Sequence, residues 1–133
     1  MNSLTKEQKQ EMLDSLGRIV IEVVRDSPLR ISMDIVTGAT INPLKQKQYK
    51  ALSDLSEPQM ESVCDLLSET ITAVIYNIME IFEENRKIIR FVVIKDNLEY
   101  DMLDISEKMG SEIACYEDEG WIQKFSSIGR FVL

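Results

Sequence analysis

Carboxylates are the reactive side chains that this chain concentrates. Between Glu99 and Glu119 stand eight of them, against Lys108 as the only cation, with Tyr100, Tyr116 and Trp121 interleaved. Acidic charge around aromatic side chains suits a basic protein partner: complementary charge steers encounter, and buried aromatics supply the grip. The candidate partner-binding residues are Asp101, Glu107, Glu117, Asp118, Glu119 and Trp121. Trp121 has two readings, an interface anchor or a core plug beside Ile122 and Phe125, and the core reading is favoured.

A second acidic set, Glu61, Asp65, Glu69, Glu80, Glu83 and Glu84, falls on a helix-patterned segment. Paired carboxylates on helices can hold magnesium for hydrolysis of a nucleotide pyrophosphate. A bundle metal site must point inward, however. At about 100° per residue these side chains fall opposite the apolar stripe of the same segment, so they read as a solvated face. Glu117-Asp118-Glu119-Gly120 lacks the alternating ligands and the bidentate glutamate of a calcium loop. The chain has no histidine, so the commonest general base is missing and no serine or cysteine has an imidazole to activate it. Cys64 and Cys115 read as reduced thiols that cannot complete a typical zinc site. No catalytic residue, metal or cofactor is assigned, and the chain is not read as an enzyme.

Elements must position these groups. Met12, Leu16, Ile19, Val20, Val23 and Val24 recur at helical spacing and predict a helix over Glu7 to Arg25. Ser27-Pro28 then reads as a cap and first turn, giving a short helix to Thr37 stopped by Gly38. Asn42-Pro43 repeats that signal and opens a third helix reaching Ser56. Ser56 with Gln59 resembles a capping box and begins the longest helix, to about Asn85, with a core stripe through Val63, Cys64, Leu67, Val74, Ile75 and Ile78. Leu66, Tyr76 and Met79 fall outside that stripe, as cover for a second buried side or as a partner surface.

Ile88 to Ile94 is rich in β-branched and aromatic residues and predicts a strand. Lys95-Asp96-Asn97 makes a turn, and Leu98, Tyr100 and Met102 alternate as a second strand, although Leu98, Met102, Ile105 and Met109 also fit a helix. Ser106 caps a short helix ending near Tyr116, and a last helical turn spans Gly120 to Ser126. The expected fold is α+β: an N-terminal helical layer built around one long helix, followed by a β-hairpin and short C-terminal helices.

At 133 residues the chain fits one domain, 1–133, with a core that needs no staples. The net charge of −8 argues against nucleic acid or anionic membrane as partner, since both demand a cationic face. No apolar run has signal-peptide or membrane-spanning length, which predicts a cytoplasmic protein.

Asp104-Ile105-Ser106, Gly110 and the segment Asp118-Glu119-Gly120-Trp121-Ile122-Gln123-Lys124-Phe125-Ser126 resemble the ending of small bacterial immunity proteins of polymorphic and contact-dependent inhibition toxin systems. The resemblance covers about the last 30 residues. It implies a cytoplasmic protein that binds one cognate toxin domain and occludes its active site, and it transfers no residue role. Charge leads the same way, because toxin domains that attack nucleic acid are basic. The function expected is therefore toxin neutralisation by tight binding. The alternatives are a homo-oligomeric helical scaffold or regulatory binding protein, with a homodimer left open, and behind it a magnesium-dependent nucleotide hydrolase.

Overall fold

The computed structural model describes residues 3–40, 42–113 and 120–128. It is an α+β fold, mainly helical, with one two-stranded antiparallel hairpin and short helices after it. No helix among the described residues is long and apolar enough to cross a membrane.

Helix α1 spans Lys6–Ile19 and begins at a capping box, in which Gln8 N donates to Thr5 Oγ1 at 3.1 Å and Thr5 N donates to Gln8 Oε1 at 2.8 Å. The chain then departs from expectation. Rather than ending near Arg25 and restarting at a Ser27-Pro28 cap, it passes through a π-helical segment, Val20–Asp26, straight into α2, Ser27–Thr37. Asp26 keeps right-handed helical backbone and makes no capping bond to α2. A proline lacks the N–H of the regular ladder and its ring presses on the carbonyl four residues back; a wide turn, with Ser27 N–H bonded to Glu22 O, carries the helix past both problems. The inward face also differs from the expected stripe, and Ile19 is already turned out in α1, before the wide turn. Leu13, Gly17, Val20, Ile21 and Arg25 are buried, whereas Ile19, Val23 and Val24, expected in the core stripe, are turned out.

Gly38 ends α2 with φ 78°, and a Cβ there would lie 2.6 Å from the Tyr49 ring, so both backbone and packing require glycine. Helix α3, Pro43–Leu52, is capped as expected by Asn42, which accepts from Leu44 N at 3.0 Å. It stops short of Ser56. The Ser53 hydroxyl turns back onto Lys50 O at 2.8 Å, and Ser56 is committed to the next helix.

Helix α4, Glu57–Glu84, opens at the Ser56/Gln59 capping box and is the longest element, as its sequence predicts. Its inward row is Cys64, Ser68, Ile71, Ile75 and Met79. Two assignments are corrected by this: Val74 and Ile78 lie at its exposed edge, and Met79, expected outside the stripe, is buried. The core is lined by α1 and the π segment on one side and by the C-terminal short helices on the other. Their combined position sets the rotation of α4.

The hairpin pairs β1, Val92–Lys95, with β2, Leu98–Asp101, in the register Val92 to Asp101 and Lys95 to Leu98. Asp96 and Asn97 both have positive φ, 52° and 64°, the two-residue left-handed turn that matches strand twist. The first strand starts later than expected, because Ile88 and Ile89 are turned back by backbone bonds to Asn85 O. The strand and helix readings of residues 98–105 both hold in part. Asp101 ends β2 and accepts from Leu103 N at 3.0 Å, starting the helical turn α5, Met102–Ile105. Helix α6, Gly110–Ile113, begins where Gly110 N donates to Glu83 of α4 at 3.2 Å, rather than at Ser106. Helix α7, Trp121–Phe125, buries Trp121 and Ile122 as expected.

Candidate protein-binding surface

The expected acidic surface around α5 is less negative than its sequence. Arg86, beyond the end of α4, sets Nε 3.3 Å from Asp101 Oδ2 and Nη2 2.6 Å from Asp104 Oδ1. The hydrogen bond to Asp104 and the nearby Asp101 carboxylate raise the already high pKa of the guanidinium, so this cation is permanent. Asp101, with only 8% of its side chain exposed, is both the ion-pair partner and the cap of α5; it shapes the backbone rather than presenting charge. Glu107 is exposed at the rim of a cleft of about 580 Å³ that also has Lys9, Arg86 and Asp104 on its walls. Glu117, Asp118 and Glu119 lie outside the described residues, as do Cys115 and Tyr116.

Trp121 is a core side chain, 1% exposed, and takes the plug reading rather than the anchor reading. Its indole lies so close to α1 that a Cβ on Gly17 would be 2.4 Å from the ring. A glycine inside a helix is unfavourable by about 1 kcal/mol relative to alanine. Here it is what lets the ring seat against the backbone.

Uncompensated negative charge sits instead on α4. The helix carries seven carboxylates and no lysine or arginine. Glu57, Glu61, Asp65 and Glu69 follow one another at four-residue intervals, all exposed. Among the described residues none of the four has an ion-pair partner. Like charges at this spacing oppose the helix by about 0.2–0.5 kcal/mol per pair. The sequence reads six carboxylates of this helix as solvated, and Glu61, Asp65, Glu69, Glu80 and Glu84 are exposed, but Glu83 is half-buried and accepts from Gly110 N at 3.2 Å. What the sequence does not reveal is that no cation among the described residues pairs with the row of Glu57, Glu61, Asp65 and Glu69. Among the described residues no three of His, Cys, Asp or Glu come together as cation ligands.

Across the buried row from Asp65 and Glu69 the surface of α4 is apolar. Ile35 and Val36 of α2, Leu52 of α3, and Val63 and Leu67 of α4 line an open cleft of about 410 Å³. A second cleft, of about 320 Å³, runs between α2 and the start of α4 and joins Met33, Val36, Met60 and Cys64 to Glu57 and Glu61. Burial, together with the Asp65 carboxylate, pushes the Cys64 thiol up, so it stays neutral and packs as a small apolar group.

The polar cluster inside the fold has no counterpart in the sequence reading. Arg25 and Asp26 of the π segment are both buried and paired, Nη1 to Oδ1 at 2.7 Å. Arg25 also reaches Ser126 Oγ at 3.0 Å and Ser68 Oγ at 3.2 Å. Asp26 accepts from Ser126 Oγ at 2.9 Å and from Ser127 N at 2.8 Å. The pair therefore ties the first helix to α4 and to the segment after α7. Arg25 stands four residues after Ile21, which is buried, but the expected stripe leaves Ile21 out, so the sequence pattern does not place this arginine inside.

No protein-family model matches the chain, and neither a curated protein nor a solved structure does.

Proposed function

We propose that this chain is an immunity protein, an inhibitor that neutralises a cognate basic toxin domain by binding it and occluding its active site. The observation that carries the reading is the exposed carboxylate row Glu57, Glu61, Asp65 and Glu69, which no cation among the described residues offsets. Self-repulsion along a helix is a cost to the free protein, and a cationic partner relieves it. The net charge of −8 extends the same attraction over the whole molecule and speeds encounter. The resemblance of the C-terminal segment to immunity proteins supports the same reading.

Such a protein is expected to have a neighbouring gene for a large secreted protein with a toxic C-terminal domain, and the test is co-expression with that domain. Growth should be restored, and the purified pair should associate more slowly as salt rises, since the Debye length falls from about 10 Å at 0.1 M to about 3 Å at 1 M. Reversing Glu61 and Asp65 together to lysine should slow association while leaving the melting temperature near that of the parent. Cells that die equally with and without a folded, soluble inhibitor would end the proposal.

A further inference from the structure

Helix α4 carries, besides its buried row and its acidic row, a third row that the described residues leave about half exposed along its C-terminal half. At about 100° per residue Val63, Leu67, Val74, Ile78 and Ile81 fall within a sector of about 60°. Val63 and Leu67 are half-buried in the cleft with α2 and α3, but Val74, Ile78 and Ile81 are 52%, 41% and 47% exposed. The cleft and the open row lie in line along the helix as one track, apolar except for the exposed Thr70 between Leu67 and Val74. From Val63 to Ile81 it is about 27 Å long at the helical rise, the length of a helix of about 18 residues.

Charge beside the track identifies its occupant. Moving round α4 away from the core, the exposed Glu84 and Glu80 stand about 60° and 100° beyond the edge of the apolar row, separated from it by Ala73 and Asn77. One flank is thus the protein's own core; the other is acidic beside Val74, Ile78 and Ile81 and carries the exposed Leu66 beside Val63 and Leu67. We infer that this track is a docking site for a cationic amphipathic helix of the partner protein. Its apolar side chains lie along Val74, Ile78 and Ile81, and its lysines or arginines reach Glu80 and Glu84. A second copy of the chain fits less well, because it would bring another acidic α4 against the first. The inference rests on the reading of the chain as a binder of a basic protein and names the element of that protein which it grips.

The probe is a synthetic helix of about 18 residues with leucines on one face and lysines elsewhere, compared with the same peptide carrying glutamates in place of lysines. The lysine peptide should bind at least about tenfold more tightly. Amide shifts in the labelled protein should cluster between Val63 and Ile81. The double substitution Val74→Ser, Ile78→Ser should weaken binding by about tenfold or more while the protein stays folded with only a small fall in melting temperature, as both residues are about half exposed. Equal affinity for the two peptides, or indifference to the double substitution, would overturn the inference. So would a dimer that the double substitution dissociates, since a second copy would then occupy the row. If the double variant still neutralises the toxin with undiminished affinity, the track is not the docking site and the immunity reading stands. If the parent protein neutralises no toxin yet the peptide results hold, the immunity reading fails and the track remains a site for cationic helices.

Discussion

Two arginines in this chain each hold aspartates, and they differ in where they do it. Arg25 has 1% of its side chain exposed and its partner Asp26 5%, whereas Arg86 is 48% exposed and the nearer of its partners, Asp104, 68%. The first pair has left water and is compensated by serine hydroxyls from α4 and from the segment after α7. The second stays hydrated and mainly trims the charge around α5. Buried ion pairs add little net stability over apolar residues of equal shape, but they punish the loss of one partner. Arg25 and Asp26 therefore act chiefly as a lock on how the C-terminal segment returns to the first helix, while the exposed pairs can change with little consequence for the fold.

The largest expected effect tests that contrast. Asp26→Ala leaves Arg25 buried without its counter-charge and should cost about 3–5 kcal/mol of unfolding free energy, measured by urea denaturation. Replacing both at once, Arg25→Met with Asp26→Leu, should cost less than Asp26→Ala alone, because no bare charge remains inside. Were the double variant the worse of the two, the lock would be a source of net stability and the contrast with Arg86 would be one of strength rather than kind.

Next comes the seat of Trp121. Trp121→Ala should cost about 3–5 kcal/mol, the range for truncating a buried large aromatic. Gly17→Ala should cost about 1–3 kcal/mol by overpacking, against the helix preference of alanine, since its methyl would meet the indole at 2.4 Å. Combining the two should be less damaging than their sum, because the alanine then has space. Strict additivity would mean that the ring does not rest on Gly17. Trp121 Nε1 has no hydrogen-bond partner among the described residues, so Trp121→Phe should retain more stability than Trp121→Ala.

Local signals were legible wherever one residue type settles the backbone. The Ser56/Gln59 box, the Asn42-Pro43 start and the Asp96-Asn97 turn lie where the sequence puts them, and with them the α+β order of elements. Ser27-Pro28 carries the same start signal as Asn42-Pro43 but lies inside a continuous helix. The π segment that permits this depends on Arg25 and Asp26 finding partners up to 101 residues away. Apolar positions were legible as apolar, not as covered. Val74 and Ile75 are adjacent and both β-branched, yet one is 52% exposed and the other 1%; only the placement of the neighbouring elements distinguishes them. The acidic C-terminal patch was weakened for the same reason, since Arg86 reaches Asp101 and Asp104 from outside it. Trp121 was expected either in the core or at an interface, and Gly17, far away in sequence, decides for the core.

The smallest effect separates the two roles of Asp101, which caps α5 and faces Arg86. Its side chain accepts from Leu103 N at 3.0 Å, and loss of such a cap typically costs about 1 kcal/mol. The Arg86 contact at 3.3 Å is an ion pair open to solvent on the arginine side, of the kind that double-mutant cycles find weak. Asp101→Ala removes both interactions and should cost about 1 kcal/mol. Asp101→Asn keeps an equally good capping oxygen and removes only the charge, so it should melt close to the parent, with a difference that shrinks as salt screens the pair. Asp104→Ala, which breaks the shorter contact but no cap, should behave like Asp101→Asn. If Asp101→Asn instead falls as far as Asp101→Ala, the charge matters more than the cap, and the Arg86 cluster belongs with the buried lock rather than against it.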